Sequence, residues 1–477
     1  MVVDFPSLLG ISSGITIDSL LLALFLIIVT SWLYLFLISI RSYLLTPSIF
    51  SEKKQRQRMT SISSTLEFTK DKKIIKCIED KKNISPDDIA FYSEKDTCSQ
   101  LSSFPFVSII VPARNEQDNI ERCILSLLGQ NYPNFEVIAI DDNSTDATID
   151  IIQNIKSREK NLQTKILKIL SLTDKPADWT GKTWASQQGY LISSGDVLLF
   201  TDADTYFSSK DAILLAILYM QKQHLDVLTG IPCIELRDFW SKITMPVWNH
   251  FSILLGANTA CMNNPKCKTA YLSGSFIMIN RKVFEEIGTY QSVRNAIQED
   301  RSLGIRIKEA GYSMKIVRID KIMSALWSRD LHTLWHGIGR TLAPMNRLQI
   351  VMNLLIMFFM VMLPFLITIY SLSTAVTQQF EFMPLLQFPV DDFHLVVLIL
   401  NVVPSIIVIA AVAIKDVKKY KITPIYSLLA FLGAIFLTAG YIANIVPLLI
   451  SDKVKSIAWR GRKQRYSKKE EEERFAA

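Results

Sequence analysis

The chain has few cysteines, and none of them fall in a metal-binding pattern: Cys77, Cys98, Cys123, Cys233, Cys261 and Cys267 stand apart without a single C-x-x-C pair. That scatter excludes the common zinc sites and a disulfide framework, and it fits a reducing cytoplasmic setting. Cys261 and Cys267 flank a turn at Pro265 and are near enough to bridge, but the overall pattern argues for free thiols. Charge of one sign is scarce as well. Lys and Arg number 52 against 45 Asp and Glu, a formal +7 that is small for 477 residues. The basic residues gather in "SEKKQRQR" from Ser51, "KDVKKYK" from Lys415 and "WRGRKQRYSKK" from Trp459, each beside an apolar run. Solvated charge runs would look the same, but that placement points to anionic lipid headgroups and away from nucleic acid.

Apolar surface is abundant. Hydrophobic residues make up 49% of the chain and mean hydropathy is +0.24, above the usual soluble range because of long uncharged runs. The first run, 18–40, is long enough to cross a ~30 Å hydrocarbon core at ~1.5 Å per residue. It lacks a basic leader and a small-residue cleavage site, so it reads as a membrane helix and not as a signal peptide. Arg41 and the basic cluster beyond it place the following chain in the cytoplasm. Further runs at 349–372, 395–414 and 425–450 can also span. None of the spans carries the intramembrane ionisable residue that marks a transporter. The organisation expected is an anchor over 1–48, a polar linker over 49–103, a catalytic domain over 104–345, membrane segments over 346–452 and a basic tail over 453–477. Three spans after a cytoplasmic domain would put that basic tail outside, against the charge rule. Either part of 425–450 is re-entrant or interfacial, or the tail breaks the rule.

Between 105 and about 330 the pattern becomes short β-branched runs alternating with helical stretches, which argues an α/β fold with a mostly parallel sheet and helices on both faces. Polar residues close each strand, where open α/β sheets gather their ligands. In "VPARNEQDNI", Pro112 ends a buried strand and Glu116 lies in the loop, with Asp118 or Asn119 available as a helix cap. In "VIAIDDNSTDAT", capping accounts for Ser144, Thr145 or Asp146 but not for adjacent Asp141 and Asp142, which suit ribose or base contact. In "VLLFTDADTYFS", Asp202 and Asp204 stand two apart after a buried strand. On an extended segment both carboxylates point the same way, fit to hold Mg²⁺ or Mn²⁺ on a diphosphate.

"VPARNE", "IDDNSTD", "FTDAD" and "QED", in this order and spacing, resemble glycosyltransferase family 2 with its Rossmann-like GT-A fold, over about residues 105–345. The resemblance implies an inverting transfer of sugar from a nucleoside-diphosphate donor, UDP-linked in our reading. By it, Glu116 and one of Asp141 or Asp142 meet the nucleoside, and Asp202 and Asp204 hold the metal and diphosphate. Asp300 takes the place of the catalytic base with Glu299 in support, although acids at a helix start also satisfy the helix dipole. Gly274 lies in the segment whose small residues admit the donor sugar. "WTGKTWASQQG", with Lys182 as a cation for the nucleotide or its phosphates, is similar to a lipid-directed branch that includes hopanoid-associated and carotenoid-ester enzymes, and the tail "AWRGRKQRY" is similar to its ending. Processive members carry Q-x-x-R-W beyond the base. Here "LWHGIGRTLAP" stands instead, so Trp335, His336 and Arg340 are expected to supply an aromatic wall, a titratable group and a diphosphate contact for a single transfer. Segment 239–262, with Trp248, would guide a lipid acceptor along the bilayer surface, unless it is ordinary core. A processive polysaccharide synthase and a non-catalytic nucleotide-binding scaffold are the competing readings.

Overall fold

Alternation of side chains along the strands sets the architecture. In the computed structural model the described residues are 104–366, apart from 159–165, 255–258, 268–269, 297 and 343–346, together with 420–450, two strands within 455–466 and scattered positions elsewhere. The elements run β1 (Val107–Ala113), α1 (Ile120–Leu128), β2 (Phe135–Asp141), α2 (Thr148–Arg158), β3 (Ile166–Ser171), α3 (Gly181–Leu191), β4 (Val197–Phe200), β5 (Thr205–Phe207), α4 (Ala212–Lys222), β6 (Val227–Ile231), β7 (Cys233–Glu235), α5 (Phe239–Leu254), β8 (Ile277–Asn280), α6 (Glu299–Glu309), β9 (Met314–Arg318), β10 (Met323–Leu326), α7 (Leu331–Leu342), α8 (Arg347–Met357), α9 (Ala430–Ile450), β11 (Lys455–Trp459) and β12 (Arg462–Tyr466). The main sheet has the order β3-β2-β1-β4-β8-β6-β9. Its pairs are parallel except where β8 lies antiparallel to both β4 and β6.

On β1, Val107, Ile109 and Val111 pack with α1, α2 and α4, while Ile110 faces α3 and α6. The same period of two divides Val137 and Ala139 of β2 from Ile138 and Ile140. Helix α1 answers with buried Ile120, Cys123, Ile124 and Leu127, three or four residues apart. From β1 the chain steps to β2 on one side and later to β4 on the other. The carboxyl ends of β1 and β4 therefore flank a switch point, where such sheets leave a crevice. At the opposite ends of the strands, Glu136 is fully buried and accepts from Ser108 Oγ at 2.7 Å, with Lys168 Nζ at 2.6 Å.

Residues 47–49 add to the far edge: Arg318 N donates to Pro47 O and Ile49 N to Arg318 O, and Ile49 is buried. Helix α9 packs on α5, α7 and α8, and β11, paired with β12 in a hairpin, runs beside α7. Where α9 crosses α5, a Cβ at Gly433 would strike the backbone carbonyl of Ile243, so the two helices meet main chain to main chain. Cys261 and Cys267 are joined by a disulfide, contrary to the expectation of free thiols there: the turn at Pro265 brings their Cα atoms to 5.6 Å, within bridging range.

Among the described residues no helix is long and apolar enough to cross a membrane. Most of 18–40, residues 51–103 and most of 395–414 lie outside the described residues. Of the other two runs, the described part of 349–372 includes α8 and a π-helical turn at Phe358–Met362, and 425–450 contains α9, whose side chains are described only to Ala443.

Candidate active site

Lys182 stands in the first turn of α3, which Thr180 caps by accepting from Thr183 N at 3.2 Å. A cation in that position is unfavourable to the helix dipole. Its compensation comes from other elements: Nζ lies 2.7 Å from Asp202 Oδ1 and 3.2 Å from Glu299 Oε1. Asp202 follows β4, whereas Glu299 and Asp300 open α6, where the dipole favours carboxylates. Asp300 Oδ1 accepts from Arg301 N at 2.8 Å. A Cβ built on Gly274 would approach Lys182 Nζ at 2.8 Å, Asp300 Oδ2 at 3.5 Å and Asp202 Oδ2 at 3.8 Å. Three carboxylates, one ammonium and one bare backbone thus share a single spot.

Burial and the neighbouring Glu299 push Asp300 up to about 7, against the pull of Lys182, the Arg301 N–H and Arg340. Arg340, on α7, is thus within electrostatic reach of the acid expected to be the base. Gln298 Nε2 helps hold α7 there by donating to Thr341 O at 3.3 Å. Tyr290, fully buried behind the cluster, is raised by burial in spite of Lys182. No motif pointed to it, and only its place after Gly288 in the same segment could have.

The remaining acids form a second group along β1 and β2. Asp141 and Asp142 are both buried, and Ser144 N donates to both Asp141 oxygens, at 3.3 and 3.4 Å. Local turn closure therefore accounts for part of the acidic pair that capping was not expected to explain. Arg114 locks the two loops by donating to Asp142 O and, at 2.7 Å, to Asn143 O. Asn115 and Asn143 hold the left-handed conformations these turns need, with φ of 52° and 54°. Pro112 pairs in register with Ile140. Glu116 is buried and accepts from Asn119 Nδ2 at 3.0 Å, so Asn119 holds the N-cap position of α1 but spends its side chain on the glutamate.

Asp202 and Asp204 do not sit on an extended segment: Ala203 and Asp204 form a turn before β5. Asp204 and Glu116 both lie within electrostatic reach of the Cys123 thiol, which burial pushes up to about 12. Among the described residues no three acidic, His or Cys side chains are arranged to hold a metal by themselves. The donor set still suits a hard divalent cation that takes most of its shell from a diphosphate, because Asp202, Glu299 and Asp300 already converge on a positive charge, that of Lys182.

The expected acceptor residues fall elsewhere. Trp248 meets Tyr441 at 6.3 Å and Trp335 meets Phe436 at 5.4 Å, both inside the packing of α5, α7 and α9. The core alternative for segment 239–262 therefore describes Trp248. His336 lies 3.1 Å from His332 on the same helix, nitrogen to nitrogen, and burial followed by the charge of His332 lowers its pKa.

Residues 108–288 match the model of the family described as Glycosyl transferase family 2. The chain is 24% identical over 224 residues to "Probable glycosyltransferase YdaM" of Bacillus subtilis, covering 45% of this chain and 49% of that protein. It is 31% identical over 156 residues to "Beta-monoglucosyldiacylglycerol synthase" of Nostoc, 31% of each chain. It is 25% identical over 198 residues to "4,4'-diaponeurosporenoate glycosyltransferase" of Staphylococcus aureus, covering 42% of this chain and 50% of that one. The match thus spans at most half the length of these relatives.

Proposed function

We propose, starting from a family 2 glycosyl transferase domain at residues 108–288, that this protein is an inverting, metal-dependent glycosyltransferase. Its donor is a nucleoside-diphosphate sugar, UDP-linked in this reading, and its acceptor is a hydroxyl on a membrane lipid. One observation carries it: Asp300 and Glu299, more than ninety residues beyond Asp202, meet it around one cation, Lys182, beside the bare backbone of Gly274. Asp202 and Asp204 would hold a bound Mg²⁺ or Mn²⁺, which neutralises the diphosphate as it leaves. Glu116, Asp141 and Asp142 line the nucleoside end of the crevice. Asp300 takes the acceptor proton while the oxygen attacks the anomeric carbon, so the configuration inverts in one displacement.

A lipid acceptor is supported by relatives whose names specify glycosylated diacylglycerol and a carotenoid acid, and by the apolar runs and their basic flanks. We further infer an integral, multi-pass protein with its catalytic domain on the cytoplasmic face. The hairpin β11–β12 beside α7 supports a tail on that same side, which favours a re-entrant or interfacial passage in part of 425–450 over an outward-facing tail. The test incubates purified protein in native lipid extract with several labelled nucleotide sugars and Mn²⁺. Label should enter the lipid phase from one donor, and EDTA or Asp300→Asn should abolish it. Incorporation that survives both treatments would remove the mechanism.

A further inference from the structure

We infer that Lys182 is the resident cation of the carboxylate cluster in the donor-free protein, so that a divalent metal is admitted only when a diphosphate draws the lysine away. The inference rests on the glycosyltransferase reading, because it takes the metal and the diphosphate as the ligands of this site.

Geometry makes the argument. The ammonium is in ion-pair contact with Asp202 and Glu299 at once, and its side chain is only 21% exposed. Asp202 is one of the two carboxylates assigned above to the metal, and one oxygen of it is already committed to Lys182. A divalent ion against the same carboxylate would face the lysine charge at a few ångströms, where like charges repel strongly. The two cations therefore exclude each other unless one moves.

Lysine is suited to move. Its charge rides on a flexible four-carbon stem and has no planar fork to keep it on one carboxylate. Its position at the N-terminal end of α3 gives it no support from the helix, so the carboxylates hold it unaided. Gly274 supplies the room: a methyl group there would fall 2.8 Å from Nζ, inside contact distance. When a nucleoside diphosphate enters, its phosphates offer Lys182 a new anionic partner and leave the acids for the metal. Metal and nucleotide binding are then coupled in both directions.

The experiment titrates Mn²⁺ alone into the full-length, detergent-solubilised protein, reading free Mn²⁺ by electron paramagnetic resonance with and without UDP. Wild type should bind Mn²⁺ weakly, with UDP tightening it by more than tenfold. Lys182→Met should bind Mn²⁺ at least tenfold tighter than wild type without UDP, and UDP should then add little. Gly274→Ala keeps every charge and crowds only the ammonium, so it should shift nucleotide-free Mn²⁺ binding in the same direction even if Lys182→Met folds poorly. Equal nucleotide-free affinities in all three proteins, each tightened by UDP, would overturn the role of the lysine while leaving the enzyme reading intact. No Mn²⁺ binding by wild type even with UDP would overturn the enzyme reading and this inference together.

Discussion

Asp300 is subject to two influences that act in the same direction, burial and the charge of Glu299, and together they bring it to about 7 in spite of Lys182, the Arg301 N–H and Arg340. Below that pH the carboxyl keeps its proton and cannot accept another, so kcat/KM for glycosyl transfer should fall roughly tenfold per unit as pH drops below 7. Asp300→Asn should cost ~10²- to 10⁴-fold in rate at every pH and flatten this profile, measured by labelled sugar entering lipid. Stability should move the other way. The folded pKa is raised above the unfolded value of about 3.9, so this group's contribution is fully present below pH ~4 and is lost as pH rises through about 7. Asp300→Asn should therefore raise Tm at pH 8 by a few degrees and leave it unchanged at pH 4, read by differential scanning fluorimetry. The sequence revealed the residue types of this cluster but not their pairing. Lys182 and Asp202 were each legible as ligands for something absent, but their mutual ion pair depends on a fold that brings α3, β4 and α6 to one point. Tyr290 was invisible because a buried tyrosine behind a site has no motif of its own.

Among the elements, strands and helices of the α/β domain were legible because β1 and β2 are short, nearly continuous apolar runs and the apolar residues of α1 recur every third or fourth position. Turns were less so. The segment after β4 was expected to extend through Asp204, yet it turns at Ala203, because β5 pairs with β10 in a separate small sheet and the chain must change direction to reach it. The antiparallel β8 likewise follows from tertiary pairing that no local pattern announces. The crossing of α9 on α5 was equally hidden, since Gly433 looks like any glycine in an apolar helix. Because a side chain there would meet the carbonyl of Ile243, Gly433→Ala should separate the helices and lower stability by ~1–3 kcal/mol, seen as a lower Tm in detergent. Gly337→Ala, with nothing near the new methyl group, is the control and should be close to neutral.

For the whole molecule, composition announced the division between an α/β domain and apolar segments, while the side on which the tail lies could not be read from charge bias alone. The contact between β11 and α7 places the basic hairpin next to the helix that carries Arg340. A cysteine introduced at Ser467 should react with an impermeant maleimide from the same side as the catalytic domain in sealed vesicles of known orientation, and exclusive reaction from the opposite side would separate the tail from the site. The meeting of α9 and α5 has a further mechanical meaning. With no side chain to cushion it, a tilt of the apolar helix is delivered undamped to α5, which follows directly on β7 and the Glu235 carboxylate that clasps Arg122 of α1 at 2.7 Å. A change in the angle of α9 thereby acts on the framework around the crevice as a rigid lever.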